Sequence, residues 1–116
     1  MSHDLSLYTV PHTATIRDAM ERIEANKHRV VVVVDDENRV VGTVSDGDLR
    51  RAFLHDVMPI APVTRIMQLN PHVTSETDPA RRHELIREQH VTVLPVVTDD
   101  NHLIDVELAY EPDFDA

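Results

Sequence analysis

Residues 33–41, VVDDENRVV, form the stretch that decides the fold of this chain. Two short runs of valine enclose an acidic centre rich in turn-forming residues, and the pattern returns 63 residues later as VVTDDNHLI at 96–104. Each copy predicts a strand, a tight turn and a second strand. The same offset superposes three further pairs without a gap: Glu21 with Glu84, Ile23 with Ile86, and Val30 with Val93. The chain is therefore predicted to be a twofold internal repeat.

Strand and helix patterns flank the first hairpin. A short strand is predicted around residues 7–10, and a helix over 16–26 is capped by Thr15 with Asp18 three residues on. The unbroken valines of 30–34 indicate a strand that is covered on both faces. A second helix is predicted over 46–54. Its expected inner side is formed by Leu49, Ala52 and Phe53, and that of the first helix by Ile16, Ala19, Met20 and Ile23.

The second repeat follows the same order but ends early. A strand is predicted around residues 72–74, and Asp78 and Pro79 mark the start of a helix. The last helix would begin near Ala109, but Pro112 and the acidic end leave little room for it. We expect apolar surface near residues 103–108 to stay uncovered as a result, which favours a homodimer. The predicted fold is α/β, with one repeat over 1–58 and the other over 59–116.

Length and composition restrict the function. A chain of 116 residues with 41% apolar and 3% aromatic residues must share one core between its repeats. The net charge of −10 argues against nucleic acid or a membrane surface as partner. There is no cysteine, no segment approaching the roughly 20 apolar residues of a membrane span and no signal-peptide pattern at the start, so a cytoplasmic protein is expected. The eight histidines show no i, i+4 pair, so no metal site is predicted.

A candidate ligand site lies in GTVSDGDLRR, residues 42–51, which holds both glycines of the chain. A strand that leads into a helix N-terminus presents unpaired amide groups and a positive dipole end to an anion. The same stretch also contains a hydroxyl group, a carboxylate suited to a ribose diol and two cations. Together these groups indicate a nucleoside phosphate site. The alternative is purely structural, because a serine and an aspartate three residues apart also form a capping box. The candidate binding residues are Gly42, Thr43, Ser45, Asp46, Asp48, Arg50 and Arg51.

The repeat and the Gly-x-x-Ser/Thr-x-x-Asp pattern together resemble the CBS domain pair, also called the Bateman module, over residues 7–110. The resemblance implies a pseudo-twofold tandem of β-α-β-β-α repeats with a ligand cleft between them. It also implies AMP, ADP, ATP or S-adenosylmethionine as regulatory ligand, with Ser45 and Asp48 contacting phosphate and ribose. At the repeat offset, Gly42, Ser45 and Asp48 become Asp105, Leu108 and Glu111, so at most one such site is expected.

The string TVSDGDLRR, residues 43–51, is similar to CBS pairs attached to sugar-nucleotide pyrophosphorylases (nucleotidyltransferases) and to sugar-phosphate isomerases. The resemblance implies a regulatory module without catalysis of its own, and a short leader favours a nucleotidyltransferase whose catalytic domain lies beyond Ala116. No nucleophile with a nearby base is evident in the sequence. The rival hypothesis is a structural or dimerisation module that binds no small molecule.

Overall fold

The computed structural model describes residues 3–111, which form two small sheets with helices packed on them. The first sheet has the order β1-β2-β3, with β1 parallel to β2 and β2 antiparallel to β3, and the second sheet pairs β4 with β5 antiparallel. The strands are β1 (Thr9–Pro11), β2 (Val30–Val34), β3 (Val40–Ser45), β4 (Val93–Val97) and β5 (Leu103–Leu108). The helices are α1 (Ile16–Asn26), α2 (Asp46–Leu54) and α3 (Pro79–Gln89).

Three elements of the first repeat recur in the second at an offset of 63 residues. Helix α3 begins and ends 63 residues after α1, and the same holds for β4 after β2 and for β5 after β3. Both hairpins change register at the equivalent place, between Val33 and Val34 and between Val96 and Val97. The predicted α/β architecture of two repeats is thereby confirmed. Left-handed backbone also recurs in equivalent pairs, Lys27 with His90 and Asn38 with Asn101.

The helix boundaries follow from their caps. Thr15 and Asp18 form the predicted capping box of α1, and Asp78 caps α3 by accepting a hydrogen bond from the amide of Ala80. One expected contact of α2 is wrong: Phe53 is 38% exposed, because the inner side of this short helix is formed by Leu49 and Ala52 alone.

The first strand begins later than predicted. Residues 5–7 form a 3-10 turn in which the Asp4 side chain accepts from the amide of Ser6, so β1 covers Thr9–Pro11 instead of 7–10. The strand predicted at 72–74 is reduced to one parallel bridge, between Thr74 and Val96. Both differences lie where the chain is irregular before a helix, and periodicity is a weak guide in such short segments.

The second repeat lacks a closing helix up to Glu111, and the remainder of the predicted last helix, residues 112–116, lies outside the described part of the chain. The expectation of uncovered apolar surface at 103–108 is wrong for three of its four apolar side chains. Leu103, Val106 and Leu108 are each at most 3% exposed, whereas Ile104 is 51% exposed. The three buried side chains face the first repeat, and α3 packs against β5.

The repeats share one of two core clusters, and the other lies on the first sheet with helices α1 and α2. Asparagines at equivalent turns join them reciprocally: the Asn38 side chain donates to the carbonyl of Leu103 at 3.1 Å, and that of Asn101 donates to the carbonyl of Val40 at 2.6 Å. None of the helices within residues 3–111 is both long and apolar enough to cross a membrane. The shared cluster consists of Tyr8, Val32, Val40, Val93, Val97, Leu103, Val106 and Leu108.

Candidate functional site

The site is built on the junction between β3 and α2. Ser45 ends the strand in extended conformation, and its side chain accepts from the Asp48 amide at 3.2 Å. The Asp48 carboxylate accepts in return from the Ser45 amide at 2.9 Å. The capping box that the sequence offered as a structural explanation is therefore present. It fixes both side chains at the helix N-terminus, where amide groups and the dipole favour an anion.

Asp48 is the most constrained polar group of the site. It is 5% exposed, and its Oδ1 accepts from Arg51 Nη2 at 2.6 Å and from Gln68 Nε2 at 2.9 Å. Burial by itself raises the pKa of this carboxyl group, but the hydrogen bonds from Gln68, Ser45 and Arg51 outweigh it. The pKa of Asp48 therefore lies below its ordinary value of 3.8, and the group is an anion at neutral pH.

This depressed pKa predicts a pH dependence of stability. A carboxylate with a lower pKa in the folded state stabilises the fold above its ordinary pKa of 3.8, and that contribution is lost as the pH falls through the folded-state value. We expect Asp48→Asn to lower the free energy of unfolding strongly at pH 7 and progressively less below about pH 4. Urea unfolding of both proteins at pH 7, 5 and 3 measures this. If the difference in unfolding free energy between wild type and Asp48→Asn is the same at all three pH values, the prediction is wrong.

A cavity of about 730 Å³ opens in front of this junction, between the two repeats. Its first wall comes from the first repeat and the start of α2, its second from the linker, and its third from the turn between α3 and β4. The lining residues are Arg29, Val30, Thr43, Ser45, Asp46, Gly47, Asp48, Arg50, Arg51, Gln68, Asn70, Pro71, His72, His90, Val91, Thr92 and Val93.

The charged residues of the cavity are three arginines and two carboxylates, Asp46 and Asp48, in a chain that is acidic overall. Three arginines line it, and within residues 3–111 Arg29 and Arg50 take part in no ion pair, whereas Arg51 is paired with Asp48. The formal charge of the whole chain is −10. An anionic group in this cavity can therefore contact two cations and a helix N-terminus. The net negative charge of the rest of the chain repels the same group.

Six of the seven candidate residues named from the sequence line this one cavity, and Gly42 does not. A Cβ atom at Gly42 would lie 2.7 Å from the Gln68 carbonyl oxygen and 2.8 Å from Met67 Sδ. Glycine is needed there for the close approach of the linker.

Sequence reasoning missed Arg29 in the first wall and the whole of the other two walls of the cavity. Arg29 could have been found from the hairpin, because its register places Val30 opposite Ser45 and so brings the preceding residue to the start of α2. The internal repeat places Thr92 at the equivalent of Arg29. The linker residues Gln68 and His72 carry no comparable signal, because only the packed structure brings them to the site.

The equivalent position in the second repeat is filled by side chains. Tyr110 stands at the offset of Gly47, and its ring stacks on His28 with centroids 4.4 Å apart. The Tyr110 hydroxyl donates to the Lys27 carbonyl at 3.1 Å. His3 contacts Glu111 at 3.2 Å, at the offset of Asp48. A bulky ring thus stands where the first site has a glycine.

Comparison with known proteins identifies the first repeat. Residues 1–55 match the family model of the CBS domain. The first repeat is a CBS domain. Over 104 residues the chain is 29% identical to the arabinose 5-phosphate isomerase GutQ from Escherichia coli O6:H1, covering 89% of this chain and 32% of that protein. The chain spans about a third or less of the length of the curated relatives that it matches.

Solved structures extend the likeness to the whole described fold. The CBS domains of a transcriptional regulator from Streptococcus pneumoniae match with a TM-score of 0.74 at 18% identity, covering 93% of this chain and 88% of that one. CBSX2 in complex with AMP matches with a TM-score of 0.74 at 27% identity, covering 94% and 86%. The two repeats therefore have the fold of tandem CBS domains.

Proposed function

We propose that this chain is a regulatory module that senses an adenine nucleotide in the cavity between its CBS repeats. The observation that carries the proposal is the convergence of Ser45, Asp48 and the cations Arg29 and Arg50 on one cavity. A structural neighbour at 27% identity, CBSX2, is a complex with AMP, which supports the same class of ligand here. No catalytic role is assigned, because Asp48 is engaged by the helix cap, Arg51 and Gln68.

The chemistry of the cavity suggests how such a ligand is held. Phosphate is placed at the N-terminus of α2, near Ser45 and Thr43, with Arg50 and Arg29 as counter-charges. The ribose diol is placed on Asp48, since two adjacent hydroxyls can both donate to one carboxylate. Candidate ligands are AMP, ADP, ATP and S-adenosylmethionine.

Sensing follows from the position of the cavity between the repeats. Its walls include residues 90–93 of the second repeat and the start of α2 of the first. A ligand that contacts both walls favours the arrangement in which it fits best, and its free energy of binding sets the size of the shift. An attached domain or a partner protein would read that arrangement.

Calorimetric titration and thermal unfolding with the four candidate ligands test the proposal. We expect one molecule bound per chain, because Tyr110 and His3 fill the equivalent second position. A ligand at a hundred times its Kd should stabilise the fold by about 2.7 kcal/mol. If none of the four ligands binds at millimolar concentration, the alternative of a structural or dimerisation module that uses Ser45 and Asp48 only as a cap takes its place.

The host protein, the location and the oligomeric state are proposed as well. A catalytic domain beyond Ala116 was predicted to be a nucleotidyltransferase, whereas the similarity to GutQ favours a sugar-phosphate isomerase as host. A cytoplasmic location is proposed because a sensor must share a compartment with its nucleotide. A homodimer is proposed from exposed apolar side chains at and after the end of α2, and a monomer in sedimentation analysis at high concentration would overturn it. These side chains are Leu54, Met58 and Ile60.

A further inference from the structure

The Asp48 carboxylate has no free acceptor position. Each carboxylate oxygen offers about two acceptor sites. Oδ2 accepts from the Ser45 amide at 2.9 Å and from the Ser45 hydroxyl at 3.1 Å, and Oδ1 accepts from Arg51 at 2.6 Å and from Gln68 at 2.9 Å. A ligand diol that donates to Asp48 must therefore displace at least one of these four donors.

The four donors differ in what their displacement costs. The two Ser45 groups belong to the cap of α2, so losing them opens the start of the helix. Arg51 forms an ion pair with the carboxylate, in which donor and acceptor are both charged. Gln68 contributes a neutral amide from an exposed residue, and its side chain can turn to water. Gln68 is the donor that leaves first.

Gln68 also holds the linker between the repeats. Its backbone N–H donates to the backbone carbonyl of Thr43 at 2.8 Å, and its backbone carbonyl accepts from the backbone N–H of Thr43 at 3.2 Å. The neighbouring Met67 lies against Gly42, where there is no room for a side chain. One residue thus connects the carboxylate of the ligand site, the strand β3 and the segment that leads to the second repeat.

We propose that Gln68 is the occupancy sensor of this cavity: a ligand diol replaces its amide on Asp48 and loosens the linker of residues 66–72 from the first repeat. The inference rests on the proposed function, since it requires a ligand with a ribose diol. It names the residue that converts binding into a change between the repeats. Ligand binding is therefore expected to increase the mobility of the linker, whereas a bound ligand more often reduces the mobility of the segments near it.

Hydrogen-deuterium exchange with and without AMP tests whether the linker becomes more mobile on binding. In the wild-type protein AMP should slow exchange in residues 45–51 and speed it at least about threefold in residues 66–72. AMP without its two ribose hydroxyls, the 2′,3′-dideoxy compound, should bind without speeding exchange in the linker. If AMP slows hydrogen exchange in the linker or leaves it unchanged, the proposed role of Gln68 is wrong.

Variants of Gln68 supply the second readout. Gln68→Met keeps the length of the side chain but cannot donate, so AMP no longer competes with it, and we expect binding to tighten by about threefold to tenfold. The linker should exchange fast already without AMP. Gln68→Asn, which is too short to reach Asp48, should act in the same direction. The control Thr64→Ala changes an exposed side chain just before this linker and should leave the affinity for AMP as it is.

The two proposals fail in different ways. If wild type and both variants bind no adenine ligand, the nucleotide-sensing function is wrong and the sensor with it. If wild type binds AMP but Gln68→Met binds it equally well or more weakly, the function stands and the sensor is refuted. Tighter binding together with a fast linker supports both.

Discussion

Gly42→Ala is expected to lower the free energy of unfolding by about 1 to 3 kcal/mol, although it adds only one methyl group. That methyl would meet the Gln68 carbonyl oxygen at 2.7 Å and Met67 Sδ at 2.8 Å. The methionine side chain can move, but the carbonyl belongs to the linker backbone and is bonded to Thr43. The linker must therefore move away from β3. Urea unfolding monitored by circular dichroism measures the loss.

The second glycine of the chain provides the matched control. A Cβ at Gly47 would have Arg51 Nη1 at 3.3 Å as its nearest neighbour, the far end of a flexible side chain. Gly47 lies in the first turn of α2, where alanine is favoured over glycine by up to about 1 kcal/mol. Gly47→Ala should leave the fold as stable as before or more stable. Equal losses for the two substitutions would refute the account of Gly42.

Asp48→Asn is expected to weaken AMP binding by about tenfold to a hundredfold, because a neutral amide cannot accept both hydroxyls of a ribose as a carboxylate can. The fold should lose about 2 to 3 kcal/mol as well, since the new amide hydrogens face the donors Arg51 and Gln68. Calorimetric titration gives the affinity, measured at a temperature where the variant is fully folded.

The equivalent residue of α1 separates capping from binding. Asp18 forms the same capping box with Thr15, at 2.9 Å and 3.1 Å, but it lies away from the cavity between the repeats. Asp18→Asn should cost about 0.5 to 1 kcal/mol of stability and leave AMP affinity unchanged. If Asp48→Asn also leaves the affinity unchanged, Asp48 serves only as a cap.

Local sequence predicted the regular elements well because each is specified by its own residues. The range of α1 was predicted correctly from Thr15 and the apolar spacing, and that of α2 from Ser45 and Asp48. The segments that failed are those whose conformation depends on neighbours far along the chain. The strand predicted at 72–74 had only one pairing partner within reach, the bridge at Thr74.

The sequence predicted only the part of the candidate site that lies at the junction between β3 and α2. The residues of the strand-to-helix junction share one continuous stretch, so their proximity follows from chain connectivity and helix capping. The linker and second-repeat walls come from residues 20 or more positions after Asp48, and pattern reasoning does not place such segments. Gly42 shows the same limit, because its need for close approach was readable but its neighbour was not.

The sequence by itself determined the twofold repeat, the positions of the helices and hairpins, and the chemistry of residues 43–51, because caps, turns and hydrophobic periodicity act within a few residues. Only the tertiary structure decided that the second repeat buries Leu103 and Leu108 with no closing helix before the described residues end at Glu111, and that Tyr110 fills the second position. It also decided that Gln68 binds Asp48. These contacts depend on how two sheets pack across a shared core, and that packing is set by the shape of the whole interface.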